Sequence, residues 1–435
     1  MRTLLILSLL LTWTSALHAQ QPLTLEDAID IGLERNHRIR IARSDAEIAR
    51  NNTTRGTANF LPTLDATGSY SFSRSEQETN SPFSFGNSNT RNASAQLALN
   101  WTLFDGFRMF VDRERYDELA ILGDAQARSS IERTVVSIAA AYFRLVQQIR
   151  LLETIEETSD ISRMRYEKER VRRELGGSVS DYLNARIAYH NDSAAVLEQR
   201  LQLTVARKDL NLLLGRSPSA PLTVVRDISL PALPYSDERM LEMARERNAD
   251  LITARQGLRV AESATALSRS SFYPRVNLFA NYGYSDRLVG TEQSERFSGD
   301  ILTQSTDANV GLSLSFNLFN GFRNATDVQN AQIETRIAEI TLDEAERQLE
   351  GTLLERRAAL RTRLDAVAIE ESNLEAARQN LALQIERFET GTVTSLEFRD
   401  AQVQFVRAET AYIVSLFEAR LAILELQRLI GDIRL

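Results

Sequence analysis

Three carboxylates that follow glycine-bearing turns are the residues whose type and spacing could do chemistry in this chain. Glu397 and Asp400 lie in the run G-T-V-T-S-L-E-F-R-D-A-Q, which opens with Gly391 and Thr392. Asp181 follows Leu175, Gly176, Gly177 and Ser178. Glycine supplies the permissive backbone that a sharp reversal needs, so each acid stands near the start of a new helix. Taken alone, they read as solvated first-turn acids, where the helix dipole favours negative charge. No nucleophile–base arrangement or phosphate loop is evident. His37 and His190, the histidines left once a leader is removed, are far apart and lack ligand spacing. No catalytic, cofactor or metal site is expected.

The composition narrows the classes further. There is no cysteine, which excludes disulfides, thiolate metal sites and lipid attachment through cysteine. The net charge is −8, or −9 once Arg2 leaves with a leader, and this argues against a nucleic-acid partner. Residues 1–19 read as a signal peptide. Arg2 gives the positive start, Leu4 to Leu11 the apolar run, and Ala16, Leu17, His18 and Ala19 the cleavage site before Gln20. No other segment reads as a membrane-spanning helix, so a membrane form must span by strands.

The elements that must position the acids are long helices and four strands. Val310, Leu312, Leu314, Phe316 and Leu318 alternate with Asn309, Gly311, Ser313, Ser315 and Asn317, which predicts a strand over 308–319 with one polar face. The same alternation predicts strands over 64–73, 93–104 and 275–285. Polar links, 74–92 and 286–307, suit the long loops of outer-membrane barrels. Tyr70, Trp101, Tyr282, Tyr284 and Phe316 fit interfacial aromatic girdles, or ordinary strand composition. A helix predicted over 322–390 should be about 100 Å long at about 1.5 Å per residue.

The chain also repeats itself. Asn59-Phe60-Leu61-Pro62 recurs as Ser271-Phe272-Tyr273-Pro274, 212 residues on. Phe104-Asp105-Gly106-Phe107-Arg108 recurs as Phe319-Asn320-Gly321-Phe322-Arg323, 215 residues on. The near-constant offset marks a duplication. The first repeat covers 20–216 and the second 237–435, with a proline-rich crossover over 217–236. Each repeat reads helix, strand, strand, long helix, helix. The opening helix of the first is expected over 23–59. Ile131, Val135, Ile138, Tyr142, Leu145, Ile149 and Leu152 step by 4 and 3, as do Leu360, Leu364 and Val367, then Leu381, Ile385 and Phe388. Those are coiled-coil seams. Four strands cannot close a barrel, and lipid tolerates no open edge. Closure therefore needs several chains, and three would give twelve strands with room for a lumen.

The doubled plan, the two Phe-x-Pro helix ends, the two Gly-Phe-Arg strand–helix junctions and the two turns resemble the TolC family of outer-membrane efflux proteins over nearly all of the mature chain. The resemblance implies a mostly helical fold with a small membrane β part: a trimeric twelve-stranded barrel on a coiled-coil tunnel. It implies partners too, namely a periplasmic adaptor and an inner-membrane pump or ABC-type secretion transporter. It places Glu397 and Asp400, and with them Asp181, at a narrowed periplasmic entrance. Three copies of each would form rings of carboxylates that concentrate cations and oppose anions. Crowding of like charges should raise some of their pKa values. Gly176, Gly177, Gly391 and Thr392 become docking tips, and Gly106, Gly321, Pro62 and Pro274 mark the junctions at the strands. Val393 departs from the family pattern, which often has a basic residue there. Arg399, between the acids, either substitutes for it or pairs with one of them. The implied function is a passive exit duct in a tripartite efflux pump or type I secretion system. The competing reading is a structural or adhesive trimeric stalk without a conduit.

Overall fold

The computed structural model of the chain describes residues 22–76, 88–291 and 300–433. The expected leader over 1–19 lies outside the described residues, as do parts of the links over 74–92 and 286–307. The order of elements is α1 (Leu25–Arg35), α2 (His37–Asn51), β1 (Thr63–Ser75), β2 (Ser88–Phe104), α3 (Arg108–Glu174) and α4 (Val179–Leu213). The second half follows with α5 (Asp237–Arg247), α6 (Ala249–Arg269), β3 (Arg275–Thr291), β4 (Ile301–Ser315), α7 (Arg323–Thr390) and α8 (Ser395–Leu429). The long helices α3 and α7 have 67 and 68 residues.

The expected single helix over 23–59 is two helices, and it stops at Asn51. Asn36, with extended backbone, separates α1 from α2. Its side-chain oxygen accepts from the amides of Arg38 (2.8 Å) and Ile39 (3.3 Å), so one asparagine ends one helix and caps the next. Asn248 separates α5 from α6 in the same extended conformation. The two breaks lie 212 residues apart, at the repeat offset.

The chain forms two compact units. One comprises Arg43–Arg128 and Ala249–Gln348 and holds a four-stranded antiparallel sheet in the order β1-β2-β3-β4. Its register places Leu64, Leu99, Ala280 and Val310 in one row, and Ala66, Leu97, Tyr282 and Ala308 in the next. Tyr70, Trp101 and Tyr284 share this apolar face by alternation. Leu64, Tyr70, Tyr282, Val310 and Leu312 are all exposed on it. The opposite face is polar, and hydrogen bonds cross its strands: Gln96 donates to Asn281 (3.2 Å), and Asn281 donates to Asn309 (3.0 Å). Ser69 pairs with Ser94, and Ser285 with Ser305, each at 2.8 Å. Among the described residues β1 and β4 are edges, each paired on one side only.

The strands reach farther into the expected loops than polarity suggested, because the backbone ladder continues through Ser73–Thr90 and Arg287–Thr303. The last strand is shifted: it is Ile301–Ser315, not 308–319. Ser315 pairs with Arg275, the first residue of β3. Pro274 precedes Arg275 and has no amide to donate, so the ladder stops there despite the apolar Phe316 and Leu318.

The other unit comprises the chain up to Ala42, Ser129–Asn248 and Leu349–Leu435. Its core joins Ile138, Tyr142, Leu145 and Val146 of α3 to Leu210 of α4 and to Leu214, the residue just past it. The crossover is tied in: Leu23 and Val224 form a parallel bridge, and the Tyr142 hydroxyl lies 2.9 Å from the Leu23 carbonyl. In α7, Leu353, Leu360, Val367, Leu374, Leu381 and Phe388 are buried at every seventh residue, and Leu364 is exposed. One expectation is corrected here. α3 does contain a stretch long and apolar enough to cross a membrane, and 44% of that window is buried inside the fold.

Candidate functional site at the helix-hairpin turns

Both hairpins close by the same device. After α3, Gly176 takes φ +94°, and the amide of Gly177 returns to the Arg172 carbonyl at 2.8 Å. After α7, Gly391 takes φ +75°, and the amide of Thr392 returns to the Arg387 carbonyl at 2.9 Å. The left-handed glycine lets the last carbonyls find donors. Ser178 and Thr394 then cap α4 and α8. The Ser178 hydroxyl accepts from the Asp181 amide at 3.2 Å. Thr394 and Glu397 form a capping box: the Glu397 amide donates to the Thr394 hydroxyl (3.3 Å), and the Thr394 amide donates to the Glu397 carboxylate (2.9 Å).

Glu397 is thus both an exposed acid and a structural cap. The Thr394 hydroxyl and amide hold its pKa below the ordinary glutamate value, with Arg387 adding to the effect. Asp400, one turn on, is exposed and accepts from Gln404 at 2.7 Å. Asp181 is half-buried at the start of α4.

Arg399 pairs with neither Glu397 nor Asp400. Its guanidinium fork takes both oxygens of Asp192, at 2.6 and 2.9 Å. Around this pair lies a polar cluster that the sequence reading missed. Ser162 donates to Asp192 (2.5 Å), and Gln402, fully buried, donates to the Thr158 carbonyl (2.8 Å) and to Ser162 (3.0 Å). Arg165, also buried, donates to Ser395 at 2.7 Å. Burial pushes its pKa down, and the charge of Arg399 adds to that. A signal was present in α3. Thr154, Thr158, Ser162, Arg165 and Glu169 step by 4 and 3 along one face of the helix, and all five are polar and buried.

The hairpins also meet at Phe388. The Lys168 ammonium donates to the Phe388 carbonyl (2.8 Å) and sits 4.5 Å from its ring centroid. Phe398 stacks on the same ring at 4.8 Å.

At the strand–helix junctions, Gly106 and Phe107 take φ +74° and +66°, and Gly321 and Phe322 take +69° and +62°. A Cβ at Gly106 would lie 2.5 Å from the Ser270 carbonyl oxygen, whereas at Gly321 nothing lies within 4 Å. Pro62 and Pro274 immediately precede β1 and β3. The histidines are not near these turns in sequence, and among the described residues no group of three or more acids or histidines is placed to hold a metal.

A short two-faced sheet with open edges, joined to very long helical hairpins, defines the subunit of a membrane duct. The sequence profile of outer membrane efflux proteins matches residues 28–216 and 240–432, and the chain belongs to that family. It is 25% identical over 433 residues to outer membrane protein OprJ of Pseudomonas aeruginosa, covering 94% of this chain and 84% of that one. It is 22% identical over 381 residues to TolC of Escherichia coli, covering 86% and 75%. Its fold matches the Campylobacter jejuni CmeC outer membrane channel with a TM-score of 0.77 at 15% identity, over 94% of this chain and 85% of that one. The strands belong to the outer membrane and the helical part to the periplasm.

Proposed function

We propose that the chain is the passive exit duct of a multi-component export machine. Three copies pool their strands into one twelve-stranded barrel, and their helices enclose a shared aqueous bore. The observation that carries this reading is the sheet itself. Its apolar face is exposed, its other face is a hydrogen-bonded polar lattice, and β1 and β4 both lack an outer partner. Lipid cannot satisfy such edges, so the sheet must close on other copies. The polar lattice then lines water, and the apolar face meets lipid.

In this reading Glu397 and Asp400, with Asp181, ring the periplasmic entrance and bias it towards cations. The tips at Gly176, Gly177, Gly391 and Thr392 receive a periplasmic adaptor, which couples the duct to an inner-membrane pump or an ABC-type secretion transporter. The chain binds no cofactor and catalyses nothing; the partner supplies the energy. The test is conductance in planar bilayers. Purified protein should form cation-preferring channels, and Glu397→Gln with Asp400→Asn should reduce that preference severalfold. Absence of conductance would favour a closed stalk, and unchanged selectivity would remove the acids from the entrance.

A further inference from the structure

We propose that the Asp192–Arg399 pair, with Ser162 and Gln402, is a positioning device that sets the rotational phase of α8 and so aims Glu397 and Asp400. This rests on the reading of those two acids as entrance residues. At about 100° per residue, Glu397, Asp400 and Gln404 fall within about 60° of one another on one side of α8. All three are exposed. Ser395, Phe398, Arg399 and Gln402 occupy the opposite side, buried or half-buried.

Apolar contacts on that side, such as Phe398 on Phe388, tolerate a small rotation of the helix. The polar contacts do not. Arg399 holds Asp192 of α4 with two parallel hydrogen bonds, a geometry that fixes direction as well as distance. Gln402, one turn later, is fixed from both ends. It donates to Thr158 and Ser162 of α3, and its oxygen accepts from Arg399 at 3.0 Å. Ser395, one turn earlier, is held by Arg165. Three successive turns of α8 are therefore pinned to two other helices. A buried polar network of this kind specifies one arrangement among several of similar packing energy.

Because Asp192 neutralises Arg399, the positive charge next to the two acids does not quench them. The sign of one experiment separates these roles. Were Arg399 damping the acids through space, Arg399→Met would raise cation preference. The positioning role requires the opposite. Arg399→Met and Asp192→Asn should each lower the cation-to-anion permeability ratio at least twofold, although both carboxylates remain. The exchange Asp192→Arg with Arg399→Asp should restore most of it. A rise, or no change, would overturn the proposal.

A second readout does not depend on conduction. The chain has no cysteine, so Asn184→Cys and Gln404→Cys give unique nitroxide sites on exposed positions of α4 and α8. In trimers diluted with unlabelled chain, the distance distribution should be narrow in the parent and broaden or shift with Arg399→Met. An unaltered distribution would overturn the positioning role even if selectivity changed. If Glu397→Gln with Asp400→Asn leaves selectivity untouched, the entrance reading fails, and the distance measurement still decides whether the pair sets the phase of α8.

Discussion

The side-chain amide of Asn36 donates to the carbonyl of Leu213 at 2.7 Å, across 177 residues of sequence, and Asn248 repeats the bond to Leu429 at 3.1 Å. Each asparagine breaks an opening helix and satisfies the last turn of the closing helix in its own repeat. Both are buried, 4% and 3% exposed. The two bonds thus occupy matching positions in the two halves of the chain. Asn36→Ala or Asn248→Ala leaves a buried carbonyl without its donor and should cost about 1–3 kcal/mol. Thermal denaturation followed by circular dichroism reads this, with exposed Asn184→Ala as the near-neutral control. A shift no larger than the control's would mean that the bond contributes nothing.

The closing partner of the open sheet can be given to the residue. Within the chain, the second strand of the first repeat pairs with the first strand of the second, and Leu97 faces Tyr282. Moving each residue to its counterpart in the other repeat, 215 and 212 positions away, puts Leu312 of one copy opposite Tyr70 of the next. Leu312→Cys with Tyr70→Cys should therefore give covalently linked oligomers up to the trimer on mild oxidation. Ser313→Cys with Tyr70→Cys should not, because a one-residue slip turns the side chain to the other face. The reverse pattern would mean a different register.

How far this architecture could be read in advance depended on the kind of signal each part carries. Periodicity reported what it can report. The buried spacing of Leu360, Val367, Leu374, Leu381 and Phe388 follows from a 3.5-residue period, and the two-faced strands from a period of 2. The turns were legible because Gly176 and Gly391 carry backbone conformations that other residues resist. The helix breaks were not legible. Asn36 and Asn248 sit in continuous helical pattern, and the carbonyls that hold them are about half the chain away. The Asp192–Arg399 cluster was hidden for a related reason. Polar residues on a helical seam look like surface until a partner helix covers them. The end of β4 at Ser315 was misread because side-chain alternation persists where the backbone ladder has lost its partner at Pro274.

The capping box makes a pH prediction whose sign is fixed. The Thr394 hydrogen bonds lower the pKa of Glu397 from its ordinary 4.5. A carboxyl whose folded pKa lies below its unfolded value stabilises the fold above the unfolded pKa, and that contribution is lost as pH falls through the folded one. The start of α8 should therefore be held at neutral pH and loosen below about pH 4.5. Thr394→Ala should remove most of this dependence and loosen the turn at neutral pH as well. Hydrogen exchange of the amides over 395–398, measured between pH 3 and 7 and corrected for intrinsic rates, checks it. Equal pH dependence in parent and Thr394→Ala would mean that the box is not what holds the carboxylate.

Lys168 offers the sharpest test of how the two hairpins are joined near their turns. It is one of two lysines in a chain whose other fixed cations are arginines. Its ammonium reaches the carbonyls of Phe388 (2.8 Å) and Glu389 (3.4 Å) in the last turn of α7, where the Phe388 carbonyl also accepts from the Gly391 amide just past the helix (3.3 Å). The charge also complements the negative end of the helix dipole. A compact ammonium can serve two adjacent carbonyls and the Phe388 ring together, whereas a planar guanidinium is suited to parallel acceptors. Lys168→Met should therefore fray the last turn of α7 by about 0.5–1 kcal/mol, seen as faster exchange of the amides over 386–391. Lys168→Arg should recover only part of the protection. If Lys168→Met exchanges like the parent at these amides, Arg172 and the stacked Phe388–Phe398 rings hold the turn without the ammonium.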